Sequence, residues 1–178
     1  MSKWIASILA LALMLPGSAS ALTDPTNDPE RERQIYKVMI DRYANEASLC
    51  VVQKADDFPE WSGKRGRIDK RADWKYLNAN EAEVRAINRD FENLARKVRA
   101  PIVGHYVQPE ILAANMRLGD GQGACSPKLR LSAPAFSGET AFIDLTFDCV
   151  LCGLGATYAL RSRDGKWQVL AEWTHWVS

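Results

Sequence analysis

Cys149 and Cys152, spaced as Cys-x-x-Cys within Asp148-Cys149-Val150-Leu151-Cys152-Gly153, are the one short motif in this chain that points to a reaction. Two thiols at that spacing can cycle between dithiol and disulfide when a helix start or a nearby cation stabilises one thiolate. Here the pair follows a strand-like stretch and leads through Gly153-Leu154-Gly155 into another, with no helix to lower a sulfur's pKa. The pattern therefore predicts a staple that locks a turn between strands. A thiol oxidoreductase working through Cys149 and Cys152 is its rival.

Carboxylates offer a second kind of chemistry. Asp144 and Asp148 fall on one face of a predicted strand, about 13 Å apart along an extended chain. Carboxyl pairs that hydrolyse glycosides stand roughly 5 to 9.5 Å apart, so solvent-facing alternation is the reading for these two. Glu172 and His175 have the types for proton transfer, but their odd spacing places them on opposite faces of a strand unless a bulge intervenes. No catalytic residue is assigned.

Cys50 and Cys125 complete a set of four cysteines. Four cysteines allow three complete pairings. The preferred one joins Cys149 to Cys152 and Cys50 to Cys125, the second tying the end of the first helix to the glycine-rich loop before the sheet. Closing so long a loop contributes roughly 4 kcal/mol in the chain-entropy model. Zinc is the weaker use of these sulfurs, because there is no second close pair and an oxidising compartment favours disulfides. His105 and His175 are too few and too separated to change that, and neither a metal nor a cofactor is expected.

The compartment is read from the first residues. Lys3, the apolar run Ile5 to Leu15 and the small residues Ala19-Ser20-Ala21 have the order of a secretory signal, giving a signal peptide over 1–21 and a mature chain from Leu22. The apolar run is short of the roughly 20 residues of a membrane helix, and no transmembrane anchor is expected after cleavage. Losing Lys3 takes the formal charge from +1 to about zero, which gives no broad attraction to nucleic acid. The destination is periplasmic or secreted.

The elements that must position these residues follow from periodicity. Asp28-Pro29-Glu30 carries the N-cap, first-turn proline and first-turn acid of a helix, and Ile35, Met39, Tyr43, Ala47 and Cys50 recur at helical spacing beside Val38. A second helix begins at the capping-box pair Asn80 and Glu83 and carries Val84, Ile87, Phe91, Leu94 and Val98 on one face, its charges forming a solvated back. A short third helix is expected from Pro109 to Met116. From Lys128 the period becomes two, with strands over Lys128–Ser132, Ile143–Cys149, Ala156–Arg163 and Lys166–Trp173 and a two-residue turn at Asp164-Gly165. The expectation is a single α+β domain over 22–178, with N-terminal helices covering one face of a C-terminal four-stranded antiparallel meander.

Leu131-Ser132, Ala141-Phe142-Ile143, Cys149-Val150-Leu151-Cys152-Gly153, Tyr158, Asp164-Gly165-Lys166-Trp167 and Trp176-Val177-Ser178 together resemble the end of an uncharacterised family of small exported bacterial domains. That family carries a CxxCG turn, a tyrosine-containing strand, a DGKW hairpin and a terminal WxS. The resemblance covers about the last third of the mature chain and departs at Val150, where the family pattern has glycine. It implies no activity and supplies no site.

One region reads as a contact surface. Trp61 and Trp74 flank Lys64, Arg65, Arg67, Lys70 and Arg71 in a long polar connection with Gly63 and Gly66. Long loops in compact domains often carry function, and tryptophan with arginine is a frequent binding anchor. Trp61, Lys64, Arg65, Arg67 and Trp74 are the candidate binding residues; the competing reading is a basic loop whose tryptophans tether it to the body. The sequence thus leads to an exported, disulfide-supported binding domain without catalysis, meeting a protein partner in the envelope or outside the cell as an inhibitor or immunity-type protein. A small pocket enzyme on a curved sheet is a further alternative to it.

Overall fold

The computed structural model describes residues 28–46, 48–56, 72–96, 105–120 and 126–178. Helix α1 runs Pro29–Asp41. Its start is set by Asp28, whose carboxylate accepts from the backbone N–H groups of Glu30 and Arg31, with Pro29 in the first turn where no N–H is needed. Ile35, Tyr36, Met39 and Ile40 form its buried stripe. The expected continuation of that stripe to Cys50 does not occur, because Cys50 opens a strand instead, β1 Cys50–Val52.

Strand β2 is Lys75–Tyr76, and helix α2 spans Glu81–Arg96. The capping box closes in both directions: Asn80 N donates to Glu83 Oε2 at 2.8 Å, and Glu83 N donates to Asn80 Oδ1 at 3.0 Å. Arg163, far along the chain, also holds the Glu83 carboxylate and keeps it below the usual carboxylate range. Where a third helix was expected there is one 3-10 turn, Pro109–Ile111, followed by β3 Arg117–Gly119. The remaining strands are β4 Lys128–Leu131, β5 Ala135–Ser137, β6 Thr140–Cys149, β7 Cys152–Arg163 and β8 Lys166–Val177.

These strands form one mixed eight-stranded sheet in the order β2-β8-β7-β6-β4-β1-β3, with β5 also paired to β6. That overturns the four-stranded antiparallel meander. β1 pairs in parallel with both β3 and β4, and β2 adds to the outer edge of β8. Two- and three-residue strands are shorter than any window in which alternation can be counted. At the β7–β8 hairpin, Asp164 and Gly165 take positive φ values of 51° and 74°, the backbone a two-residue type I′ turn requires.

The helices do not share a face. Along β6, Ala141, Ile143 and Leu145 pack in the cluster built on Ile35, Tyr36, Met39 and Ile40 of α1. Phe142, between them, packs in the cluster of Ile87, Phe91 and Leu94 of α2. Successive strand residues point to opposite faces, so α1 covers one face and α2 the other. Each fully buried Phe, Leu or Ile contributes about 1.5–3 kcal/mol, which makes both faces core over the middle of β6.

A buried acid locks α2 in place. Asp90, expected on a solvated back, is buried and accepts from Thr140 Oγ1 at 2.7 Å and from Arg89 Nε at 3.0 Å, with Arg161 Nη1 at 3.6 Å. No helix among the described residues is long and apolar enough to cross a membrane.

Candidate functional site

The far end of the β6–β7 hairpin is closed by the Cys149–Cys152 disulfide, whose Cα atoms are 5.0 Å apart and form the last register pair of the two strands. The disulfide clamps a turn whose two central residues, Val150 and Leu151, are 84% and 94% exposed. β8 is zipped up to the same end. Gly153 and Ser178 exchange both backbone hydrogen bonds, at 3.2 and 3.0 Å, which brings Trp176 and Val177 beside the tip. They are 42% and 73% exposed. Four large apolar side chains therefore meet water at one rigid corner of the sheet, where monomeric surfaces seldom gather them.

Cys50 is also disulfide-bonded and accepts from Arg117 Nε at 3.2 Å. It sits in strand β1, not at the end of α1. Its expected partner, Cys125, lies outside the described residues.

Beside the tip, on the α2 face, the sheet forms a small concavity of about 190 Å³ lined by Asp144, Leu145, Thr146, Gly155, Ala156, His175 and Trp176. Its shape depends on two glycines and a bulge. A Cβ on Gly155 would stand 2.1 Å from Trp176 Nε1, and one on Gly153 would stand 2.6 Å from the same ring, so the indole lies flat in a trough only glycine leaves open. The β7–β8 register slips between Gly155 and Ala156, where Gly155 faces Trp176 but Ala156 faces Thr174. The extra residue is His175. It lets two consecutive side chains, His175 and Trp176, reach one concavity, which an unbroken strand forbids.

The polar floor is a chain of three groups. Asp144 and Thr157 are register partners on β6 and β7, and the Thr157 hydroxyl donates to Asp144 Oδ1. His175 Nε2 is 2.7 Å from the same hydroxyl oxygen. A hydroxyl has one proton, and an ionised carboxylate can only accept. With that proton on Asp144, Nε2 of His175 is the side that donates to Thr157. Burial, which penalises the charged form, lowers the His175 pKa from its ordinary 6.5 to about 4, so the ring is neutral at pH 7. The Trp173 ring packs edge-on against it with centroids 4.4 Å apart.

This geometry revises the reading of Asp144. It is buried, not solvent-facing, and is tied to Thr157. Asp148 lies on the same face four residues on, opposite Gly153. Glu172 and His175 stay apart: Glu172 is the register partner of Tyr158, on the α1 face, and its Oε1 accepts from Thr174 at 3.2 Å. His105 Nδ1 lies 2.6 Å from Glu32 Oε2, fastening the segment before the 3-10 turn to α1.

Among the candidate binding residues, Trp74 is core, its ring 5.1 Å from Phe91 and 6.1 Å from Trp173. Trp61, Lys64, Arg65 and Arg67 lie outside the described residues. Among the described residues, no group of three or more His, Cys, Asp or Glu could hold a metal ion. The concavity was missed by periodicity, but Gly153-x-Gly155 on the strand next to a tryptophan-bearing strand end was a signal for it. No family description, curated protein or solved structure matches this chain.

Proposed function

We propose that the chain is an exported binding domain that engages a protein partner through the disulfide-clamped corner, with Val150 and Leu151 entering an apolar pocket on that partner. An inhibitor or immunity-type role fits such a domain. The observation that carries the reading is the exposure of Val150 and Leu151 on a tip held by a covalent clamp. An ordered loop loses little conformational freedom on binding, so more of its contact energy appears as affinity. Trp176 and Val177 extend the apolar surface, and aromatic anchors dominate many interfaces. The signal-like leader supports export, and a stable disulfide suits an oxidising compartment.

The thiol oxidoreductase is disfavoured by the same geometry, because both sulfurs terminate β-strands and no helix begins at either. A photo-crosslinking side chain at position 151, compared with one at the exposed helical position 81, tests the reading in native envelope extract. A discrete adduct from 151 alone, lost when Val150→Asp is added, is the expected result. Identical adducts from both positions, or none from either, would refute the corner as the contact. Insulin reduction that disappears in Cys149→Ser would restore the redox alternative.

A further inference from the structure

The disulfide-bonded cysteines differ in what a reductant can reach. Cys50 is 1% exposed inside the sheet, whereas Cys152 is exposed and Cys149 half-buried at the tip of a hairpin. Exposed disulfides are the labile ones, because exchange requires a thiolate to approach a sulfur. Folding also protects this bond least: a disulfide is shielded from reduction by as much as it stabilises the fold, and a loop this short stabilises little. What the bond holds is equally local. Cys149 and Cys152 are the last of ten register pairs along β6 and β7, and only Val150 and Leu151 lie beyond them. At 84% and 94% exposure those two side chains have almost no packing of their own, so the covalent link is what fixes the turn. The neighbouring structure has other support: Asp148 pairs with Gly153 in the same ladder, and Gly153 exchanges backbone hydrogen bonds with Ser178 of β8.

We propose that the Cys149–Cys152 disulfide is a redox latch on the corner: a dithiol of the envelope opens it, and the freed turn loosens its hold on the partner. The inference rests on the reading of the corner as the contact surface. A thiolate of the dithiol attacks the sulfur of Cys152, the more exposed of the two. The S–S bond breaks, and its electron pair leaves on Cys149, which takes up a proton. The second thiolate of the dithiol then displaces Cys152 from the mixed disulfide, and Cys152 takes up a proton in turn. The dithiol ends as a disulfide and the protein as two thiols, with two electrons and the dithiol's two protons transferred. The Cys149 thiol finds an acceptor where it forms, because its Sγ lies 2.9 Å from the Cys152 carbonyl oxygen. Opening therefore needs no rearrangement of the ladder, only freedom at the turn. Val150 and Leu151 must then be ordered again at each encounter, which weakens binding about tenfold. The latch is the substrate of thiol exchange and not its catalyst, so it needs no helix beside either sulfur.

The exported protein is equilibrated with graded ratios of reduced to oxidised dithiothreitol, and the thiols formed are trapped with iodoacetamide and located by peptide mass. Cys149 and Cys152 should be alkylated as a pair while Cys50 stays disulfide-bonded. The amide resonances of Val150 and Leu151 should move to the positions of a disordered chain, and those of Ile143 and Tyr158, inside the ladder, should stay in place. The photo-crosslinking side chain at position 151 then reads the contact in native envelope extract. Oxidised protein gives the discrete adduct, and protein that has been reduced, alkylated and freed of reagent gives it about tenfold more weakly. The double substitution Cys149→Ser, Cys152→Ser, which carries no alkyl group, gives the same weakened adduct and ignores dithiothreitol. Equal adduct from oxidised and opened protein would overturn the latch and leave the corner standing as the contact, whereas no adduct from the oxidised protein would remove the corner reading and the latch with it. Reduction of Cys50 at the same ratio, or loss of the ladder resonances on opening, would also overturn the proposal, since the bond would then hold the fold and not the turn.

Discussion

Acidification should weaken this protein through His175, and replacing that residue with glutamine should remove the effect. In the unfolded chain the imidazole takes its proton near 6.5, whereas in the folded protein burial delays protonation to about 4. Between those values the unfolded state holds more protons, so stability rises with pH across this window. Above 6.5 both states are neutral and His175 adds no slope; below 4 the full penalty is present. The displacement corresponds to about 3 kcal/mol at about 1.36 kcal/mol per pH decade. Because the ring is only partly buried, solvent screening reduces this to about 1–2 kcal/mol. For a domain of this size that is roughly 2–8 °C in Tm. Among the described residues, the ring meets Thr157 and, through it, Asp144, with Trp173 packed against one edge. Glutamine keeps an N–H donor for Thr157 but does not titrate. Urea unfolding at pH 4, 5, 6 and 7.5 should therefore show a smaller loss in His175→Gln than in the parent by about 1–2 kcal/mol. Carboxylates such as Glu83, whose pKa is lowered by Arg163, contribute equally to both proteins and cancel. Parallel pH profiles, or an NMR titration of His175 centred near 6.5, would show that the ring is not desolvated as described.

Three further outcomes follow from specific contacts. Asp90→Ala removes the acceptor of the buried Thr140 hydroxyl proton, leaving that oxygen only its bond from Arg161, and takes a carboxylate from Arg161; urea unfolding should register a loss of about 3 kcal/mol, and a loss under about 0.5 would mean the network does not anchor α2. Gly155→Ala must evict the Trp176 ring from its trough, costing about 1–3 kcal/mol. The same change in a Trp176→Ala background should be nearly neutral, and additive costs in that double-mutant cycle would refute the trough. Cys149→Ser opens a very short loop, for which the chain-entropy model gives about 2 kcal/mol; an unfolding midpoint equal to the parent's would show that the clamp does not constrain the unfolded chain.

What sequence patterns revealed and concealed here has a common physical origin. Asp28-Pro29, Asn80 with Glu83, and Asp164-Gly165 act within a few residues of themselves, so the two helix starts and the last hairpin were legible without any tertiary context. β1, β2, β3 and β5 have no such local signature. Each is two or three residues long and exists because a neighbouring strand offers its edge. Alternation along β6 was visible, but its meaning was inverted at the polar positions. Polar residues on a strand face water only when nothing covers that face; Asp90 of α2 covers Thr140, and Asp144 is buried and held by Thr157 of β7.

The same cause explains why a candidate site emerged where proton-transfer chemistry had been discounted. Strict period-two counting gives His175 one face and Trp176 the other, and on that arithmetic neither supports the other. One bulged residue breaks the arithmetic locally, and Gly153 and Gly155 remove the side chains that would otherwise fill the space the indole takes. Bulges are enriched where a strand must re-aim a side chain, while interior strand glycines mark a close approach by another group. Both devices fall within one short stretch of the β7–β8 ladder, beside a covalent clamp that fixes the adjacent turn. A core built only for stability has no use for a glycine trough occupied by a half-exposed tryptophan, since a buried branched aliphatic at position 155 would bury more apolar area. The arrangement gives up aliphatic packing to hold an aromatic ring flat against the β7 backbone, beside the Asp144–Thr157–His175 hydrogen-bond chain.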